Sequence, residues 1–381
     1  MRRRLAAVLV VVALAGLVAE AATAHPRLAG TTPAAGAQLA QAPRTVVIRL
    51  TEHSEPVGDG ISVTGPDGRE VAHGPVIVGP STLTRAIDAR QQGSYVVEWL
   101  AVGSDSHPAR GAFFFSVGEP TEAVLPGPAR TGRILEVLGR WLSLLGFALG
   151  FGVPFAALLS GGMTARLWRL VSAGVVLMIV AEPVALLGQT ALLAPSRMFD
   201  GQLIEDVLLT SYGHLAALRL GAAIGLWALA GAVRGATTRA QWSIPALGAV
   251  VAIIEAGNAH RFDGLPAAIA VLLVAVHVAA FAAWIGCIVV ALAESRARAI
   301  AHTASLVAFA LVVTGAGLAL GHLESVSDLV ETGYGLTLGV KIALVGVAFA
   351  LGAAAWRRAE LAAALAVLAA ASLLVSLAPP V

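Results

Sequence analysis

The chain of 381 residues has one cysteine, Cys287, and one lysine, Lys341. A single cysteine excludes an internal disulfide framework and any metal site built on a CxxC motif. The formal net charge of +2 is too small to indicate nucleic acid as a partner. The sequence also lacks a GxxxxGK[ST] phosphate loop and a nucleophile–base set, so we expect neither ATP-driven pumping nor enzymatic activity.

Charge is scarce and apolar residues are abundant. Charged residues make up 13% of the chain and apolar residues 57%, with a mean hydropathy of +0.83. The charged share is about half of that in soluble domains. The composition therefore predicts an integral membrane protein in contact with the lipid bilayer.

Residues 1–24 have the three parts of a secretory signal. They contain an arginine run, an apolar stretch too short to span a bilayer, and the small residues Ala22-Thr23-Ala24. Cleavage after Ala24 would make His25 the first residue of the mature protein. A retained N-terminal anchor is the alternative, and it would bury the His25 amine in a peptide bond.

Residues 25–118 alternate short apolar runs with turn signals such as Gly65-Pro66-Asp67-Gly68. This spacing predicts a small β-sandwich or barrel. Residues 119–133 are rich in proline and glycine and indicate a linker. From there to residue 381 the chain consists of long apolar segments, which predict an all-α membrane domain.

We expect about eight transmembrane helices in this domain, near residues 134–159, 168–193, 214–233, 243–258, 265–293, 301–321, 336–355 and 360–378. Paired arginines fall in alternate loops, at Arg166/Arg169, Arg234/Arg239, Arg296/Arg298 and Arg357/Arg358. The positive-inside rule makes these loops cytoplasmic. The β domain is then extracytoplasmic, in agreement with the signal sequence.

The best candidate metal ligands are His25, Asp105 and His107. An N-terminal histidine supplies an amine and an imidazole, and Pro26 has no N–H that could ionise and bind. Asp105 and His107 are two residues apart, so a strand points both to one face. Nitrogen and oxygen ligands of this kind suit Cu(II). An ordinary surface turn is the alternative for the Asp-x-His pair.

The same residues lie in stretches that resemble CopC-type periplasmic copper-binding domains. The similarity includes His25-Pro26-Arg27-Leu28, Ser54-Glu55-Pro56-Val57 and Ser104-Asp105-Ser106-His107-Pro108. It implies a Greek-key (Ig-like) β-barrel with Cu(II) on His25, Asp105 and His107. Glu55 would orient a ligand from the second coordination shell, or serve as a turn residue beside Pro56.

The membrane part resembles the CopD family, which occurs fused to CopC domains. The matching stretches include Gly257-Asn258-Ala259-His260 and Val276 to Gly286 around His277. Ionisable groups inside a bilayer are costly and usually functional. The candidate copper path therefore contains His214, His260, His277, His322, Glu182 and Glu255. We expect Arg219 and Lys341 to extend towards an interface.

Together these features predict a copper-binding protein of the plasma (inner) membrane that captures Cu(II) outside and moves copper across the bilayer, in copper uptake, homeostasis or resistance. Periplasmic copper carriers are the expected partners. Two alternatives stay open: a haem-containing membrane oxidoreductase that reduces copper, and a copper buffer or sensor without transport. The oligomeric state does not follow from the sequence.

Overall fold

The computed structural model describes residues 27–103, 108–123, 125, 130–256, 267–323, 325 and 327–377. The described residues form two compact units. A helical unit lies within Glu136–Ala185 and Ala216–Val381. The other unit joins Ala22–Leu135 with Leu186–Leu215, so it combines the β domain with a segment between two long helices. His25, Asp105, His107 and His260 lie outside the described residues.

The β domain is a sandwich of two four-stranded sheets, with strand orders β1-β3-β6-β5 and β2-β8-β7-β4. The strands are β1 Leu28–Thr32, β2 Gln38–Leu39, β3 Thr45–Leu50, β4 Ser54–Thr64, β5 Ala72–Val78, β6 Thr82–Ile87, β7 Gly93–Gly103 and β8 Pro108–Val117. This confirms the predicted all-β fold class. Strands β1, β2 and β6 were not predicted, because β1 and β2 are short and the three apolar residues of β6 are interrupted by Thr84 and Arg85.

Alternating side chains of both sheets fill the core between them. Val46, Ile48 and Leu50 on β3 are buried, while Thr45 and Arg49 are exposed. Burial of each such aliphatic side chain contributes about 1.5–3 kcal/mol. The period of two thus fixes which face of β3 points inwards.

The helices are α1 Arg130–Phe147, α2 Val153–Leu159, α3 Ala165–Leu193, α4 Gly201–Leu208, α5 Ser211–Val233, α6 Thr238–Gln241, α7 Ser243–Ala256, α8 Ala267–Glu294, α9 Ala297–His322, α10 Asp328–Glu331, α11 Gly333–Ala353 and α12 Arg357–Val375. A π-helical turn at Ala148–Gly152 joins α1 to α2. Each of the eight predicted apolar segments contains a helix. The short helices α4, α6 and α10 were not predicted.

Seven helical spans among the described residues are long and apolar enough to cross a membrane. The helix α7 is the exception, since its described part has 14 residues. Glycines allow the spans to approach closely: a Cβ on Gly146 would lie 2.6 Å from the carbonyl oxygen of Gly174 on α3. Small residues commonly serve this purpose in membrane bundles.

Candidate metal centre

Two chain segments that lead towards the predicted copper ligands meet at one turn of the β domain. The amide of Arg27, two residues after His25, donates to Thr51 Oγ1 at 3.0 Å, and the Thr51 amide donates to the Arg27 carbonyl at 2.9 Å. Ser54, three residues further on, pairs with Gly103 at the end of β7. Gly103 is two residues before Asp105. The turn 51–54 therefore holds both segments at one end of the sandwich.

Glu55 lies at the same end of the sheet. It pairs with Val102 on β7, and Val102 pairs in turn with Pro108 on β8. These three residues form one row across β4, β7 and β8, next to the connection 104–107 between β7 and β8. The Glu55 side chain is exposed. The ligands that Glu55 would orient lie outside the described residues, so its role stays a prediction.

The segment Leu186–Leu215 is attached to the β domain by polar contacts. Ser211 Oγ donates to the Gly103 carbonyl at 3.0 Å. The Gly58 amide donates to Asp206 Oδ2 at 3.1 Å, where β4 departs from its pairing with β7. Arg110 on β8 donates to the carbonyls of Leu192 and Leu193, at 3.3 and 3.4 Å. The β domain and this segment therefore belong to one compact unit.

Helix α4 within this segment begins at a side-chain cap. Asp200 Oδ1 accepts a hydrogen bond of 2.9 Å from the Leu203 amide. This bond, together with the nearby Arg197 guanidinium, holds the pKa of the Asp200 carboxyl below its usual value. Aspartate is a preferred residue at this position because it satisfies an amide that the helix leaves without a partner. The cap orients the helix that carries Asp206.

His214 lies in the first turn of α5, three residues after Ser211, and its side chain is exposed. The hydrogen bond from Ser211 to Gly103 therefore brings the start of this membrane helix next to the end of β7. His214 is the membrane-helix histidine that shares a compact unit with the β domain.

His277 lies on α8 in the helical unit, and its Nδ1 is 2.9 Å from Thr314 Oγ1 on α9. The Thr314 hydroxyl also lies within hydrogen-bond distance of the Ala310 and Leu311 carbonyls, at 2.7 and 3.3 Å. When it donates to one of these carbonyls, Nδ1 of His277 carries the ring hydrogen, and Nε2 keeps the lone pair with which a neutral histidine binds a metal.

His322 lies at the end of α9, with its ring centre 5.9 Å from that of Tyr334 on α11. Lys341 lies on the same helix as Tyr334 and is partly buried. Among the described residues, no group of three or more His, Cys, Asp or Glu side chains is arranged to hold a metal ion. The described histidines of the membrane part therefore form separate positions and no single site.

Glu182 and Glu255 meet at an arginine. Arg219 Nε lies 3.1 Å from Glu182 Oε1, and its NH1 group lies 3.8 Å from Glu255 Oε2. The expectation that Arg219 extends to an interface is wrong, because two carboxylates on neighbouring helices hold its guanidinium between them. Because both carboxylates face this guanidinium, we do not propose Glu182 or Glu255 as copper ligands.

Sequence reasoning did not identify Thr314 or Ser211 as contributors, nor Arg219 as the partner of the two glutamates. Their contacts join residues 36 or more positions apart. A rule based on local spacing in the sequence does not detect such long-range pairs. A signal did exist for Thr314, since a threonine inside an apolar helix often pairs with a polar side chain of a neighbouring helix.

Taken together, the structure defines a class of protein: a β-sandwich domain that continues into a multi-pass membrane bundle. Residues 28–118 match the family model described as "CopC domain". The chain is 30% identical over 105 residues to "Protein YobA" of Escherichia coli K12, covering 26% of this chain and 85% of that protein. It is 34% identical over 112 residues to "Copper resistance protein C" of Pseudomonas syringae pv. tomato, covering 26% and 86%.

Among solved structures, the chain is similar to the crystal structure of CopC from Methylosinus trichosporium OB3b, with 31% identity and a TM-score of 0.22, covering 26% of this chain and 100% of that one. The family follows from the two relatives, to which the chain is 30% and 34% identical and of which it covers 85% and 86%. The chain belongs to the CopC family, through its N-terminal domain.

Proposed function

We propose that this protein captures Cu(II) on its β domain and passes copper to its membrane helices. The observation that carries the proposal is the match of residues 28–118 to the CopC domain, directly followed in the chain by membrane-length helices. A relative of that domain is named "Copper resistance protein C". In this proposal the chain is a carrier of copper and not an enzyme.

His25, Asp105 and His107 would be the Cu(II) ligands, and Glu55 would orient one of them. Support comes from the turn 51–54, which holds Arg27 and Gly103 close to each other. These nitrogen and oxygen donors match the preference of Cu(II) for tetragonal coordination.

The route into the membrane would begin at His214 and continue through His260, His277 and His322. Support comes from the Ser211–Gly103 hydrogen bond, which joins the end of β7 to the first turn of α5. The hydrogen bond between His277 Nδ1 and Thr314 Oγ1, which orients the imidazole ring, is a second argument. This role agrees with the resemblance of the helices to the CopD family. The β domain would face the periplasm, where copper carriers deliver the ion, and the helices would cross the inner membrane.

Copper titration tests the capture site. Two forms of residues 25–118 are compared: one that begins at His25, and one with an additional residue in front of it. The additional residue converts the amine into an amide, which removes a ligand. We expect Cu(II) affinity to fall at least tenfold, and His107→Ala to weaken it similarly, whereas His73→Ala has no effect. Equal affinity in the two forms would refute the amine ligand.

Accumulation of radiolabelled copper tests transport separately. Cells that produce the full chain should accumulate copper faster than cells without it. His277→Ala should abolish the difference, while His302→Ala should leave it unchanged, because His302 is an exposed side chain on α9. Copper binding without accumulation would show a buffer or sensor and would overturn the transport part of the proposal alone.

A further inference from the structure

The copper proposal does not use the cluster of Glu182 on α3, Arg219 on α5 and Glu255 on α7. Two of these helices are membrane-length spans. The side chains are 9%, 16% and 24% exposed, respectively. The guanidinium of Arg219 is nearer to Glu182, at 3.1 Å, than to Glu255, at 3.8 Å. Three ionisable groups are thus enclosed where charges are costly.

The charges of this cluster do not balance when both carboxyls are ionised. Two carboxylates share one guanidinium, which leaves one negative charge. The further cation near Glu182 is Arg140 on α1, a helix that packs closely against α3 at Gly139 and Ala185. Arg140 is itself 3.4 Å from Glu136 on its own helix. Among the described residues, Arg140 is thus already paired with Glu136.

A second observation concerns one atom. Glu182 Oε2 is buried and has no hydrogen-bond partner among the described residues. An ionised carboxylate oxygen without donors is among the most costly groups to bury, whereas a neutral carboxyl group is far less so. A proton removes the excess charge of the whole cluster and the charge on this oxygen at once.

We propose that the Glu182–Arg219–Glu255 cluster is a proton-binding site that holds one proton between its two carboxyl groups. The proton forms an O–H bond on one carboxylate, and the other carboxylate keeps the ion pair with Arg219. The cluster contains none of the residues of the proposed copper route. It would supply the membrane domain with a group that takes up or releases one proton inside the bundle.

Infrared spectroscopy of the full-length protein tests the site, in a detergent free of carbonyl groups. The wild type should show at neutral pH a carboxylic-acid C=O band that shifts in D2O. Either Glu182→Gln or Glu255→Gln alone leaves one carboxylate for one guanidinium. Charge balance then needs no proton, so we expect each single substitution to abolish the band.

Glu360→Gln is the matched control. Glu360 is equally buried, with a side chain 5% exposed, but it pairs one-to-one with Arg357 at 2.6 Å. Its replacement should leave the band unchanged. Helix content by circular dichroism identifies a variant that has not folded, in which case the other glutamine variant decides. Loss of the band in either Glu182→Gln or Glu255→Gln supports the site. Absence of the band in the wild type, its survival in both variants, or its loss in Glu360→Gln overturns the proposal.

Discussion

Thr314 Oγ1 on α9 lies 2.9 Å from Nδ1 of His277 on α8, so a hydrogen bond holds the imidazole ring between the two helices. The threonine hydroxyl is itself 2.7 Å from the Ala310 carbonyl of its own helix, which holds the hydroxyl in place. Thr314→Val keeps the side-chain shape but removes the hydrogen bond to His277. The ring is then free to rotate and to change tautomer. Loss of such an outer partner typically weakens metal binding roughly 10- to 100-fold. In whole cells, we therefore expect the copper concentration that gives half-maximal uptake to rise by the same factor.

Thr337→Val is the control for this substitution. Thr337 lies on α11, is half-buried, and its hydroxyl donates to the Gly333 carbonyl of its own helix. Uptake should therefore be normal in this variant. If Thr314→Val and Thr337→Val take up copper equally well, Thr314 does not position a copper ligand.

The sequence identified His277 but not its partner, and the reason is physical. A histidine in the middle of an apolar segment stands out because its burial is costly. The partner depends on how two helices are rotated about their axes, which local spacing does not determine. For the same reason Arg219 was expected at an interface, although Glu182 and Glu255 hold it between the helices.

The β domain was more predictable than the bundle contacts. In β3, a period of two places Val46, Ile48 and Leu50 on one buried face. The short strand β1 has no such signal. Its place is fixed by pairing with β3, which is a tertiary interaction.

Asp206 on α4 accepts a hydrogen bond from an amide of the β domain. The Gly58 amide donates to Asp206 Oδ2 at a point where β4 does not pair with β7. Asp206→Ala removes the acceptor, so we expect faster hydrogen–deuterium exchange in the peptide around Gly58. Mass spectrometry of the full chain measures this rate.

Two further substitutions separate this effect from a general loosening of α4. Glu205→Ala changes the neighbouring residue on the same helix, which is exposed, and should leave exchange at Gly58 unchanged. Asp206→Asn keeps an acceptor oxygen and should restore much of the protection. Unchanged exchange in Asp206→Ala would mean that the segment 186–215 does not hold β4 in solution.

Tyr95 gives the β domain a stability that depends on pH. Its hydroxyl donates to the Gln91 carbonyl at 2.7 Å and accepts from the Gln91 amide at 2.9 Å. Burial is the main reason why the pKa of the Tyr95 phenol is raised. The folded state therefore holds the phenol proton more tightly than the unfolded state, whose tyrosine pKa is about 10. The contribution of the protonated phenol to the free energy of unfolding is complete below that pH and decreases as the pH rises above it.

Tyr95→Phe should therefore lower the free energy of unfolding by about 1–2 kcal/mol at neutral pH, through the lost hydrogen bonds. The difference between wild type and variant should shrink above about pH 10, where the wild type alone loses the phenol contribution. Chemical unfolding of residues 25–118, followed by the fluorescence of Trp99, measures both values. A difference that stays constant with pH would contradict the assignment to this phenol.

Gly111 leaves room for the indole ring of Trp99 across the β7–β8 pair. The two residues are partners in the sheet, and a Cβ on Gly111 would lie 2.5 Å from the indole nitrogen. Trp99 is 4% exposed and cannot move outwards without opening the core. We expect Gly111→Ala to destabilise the domain by about 1–3 kcal/mol, as overpacking does. Gly30→Ala is the matched control, because its Cβ would lie at an ordinary 3.5 Å from Arg49. Unfolding at equal denaturant concentrations in the two variants would show that the Trp99 ring is not seated against Gly111.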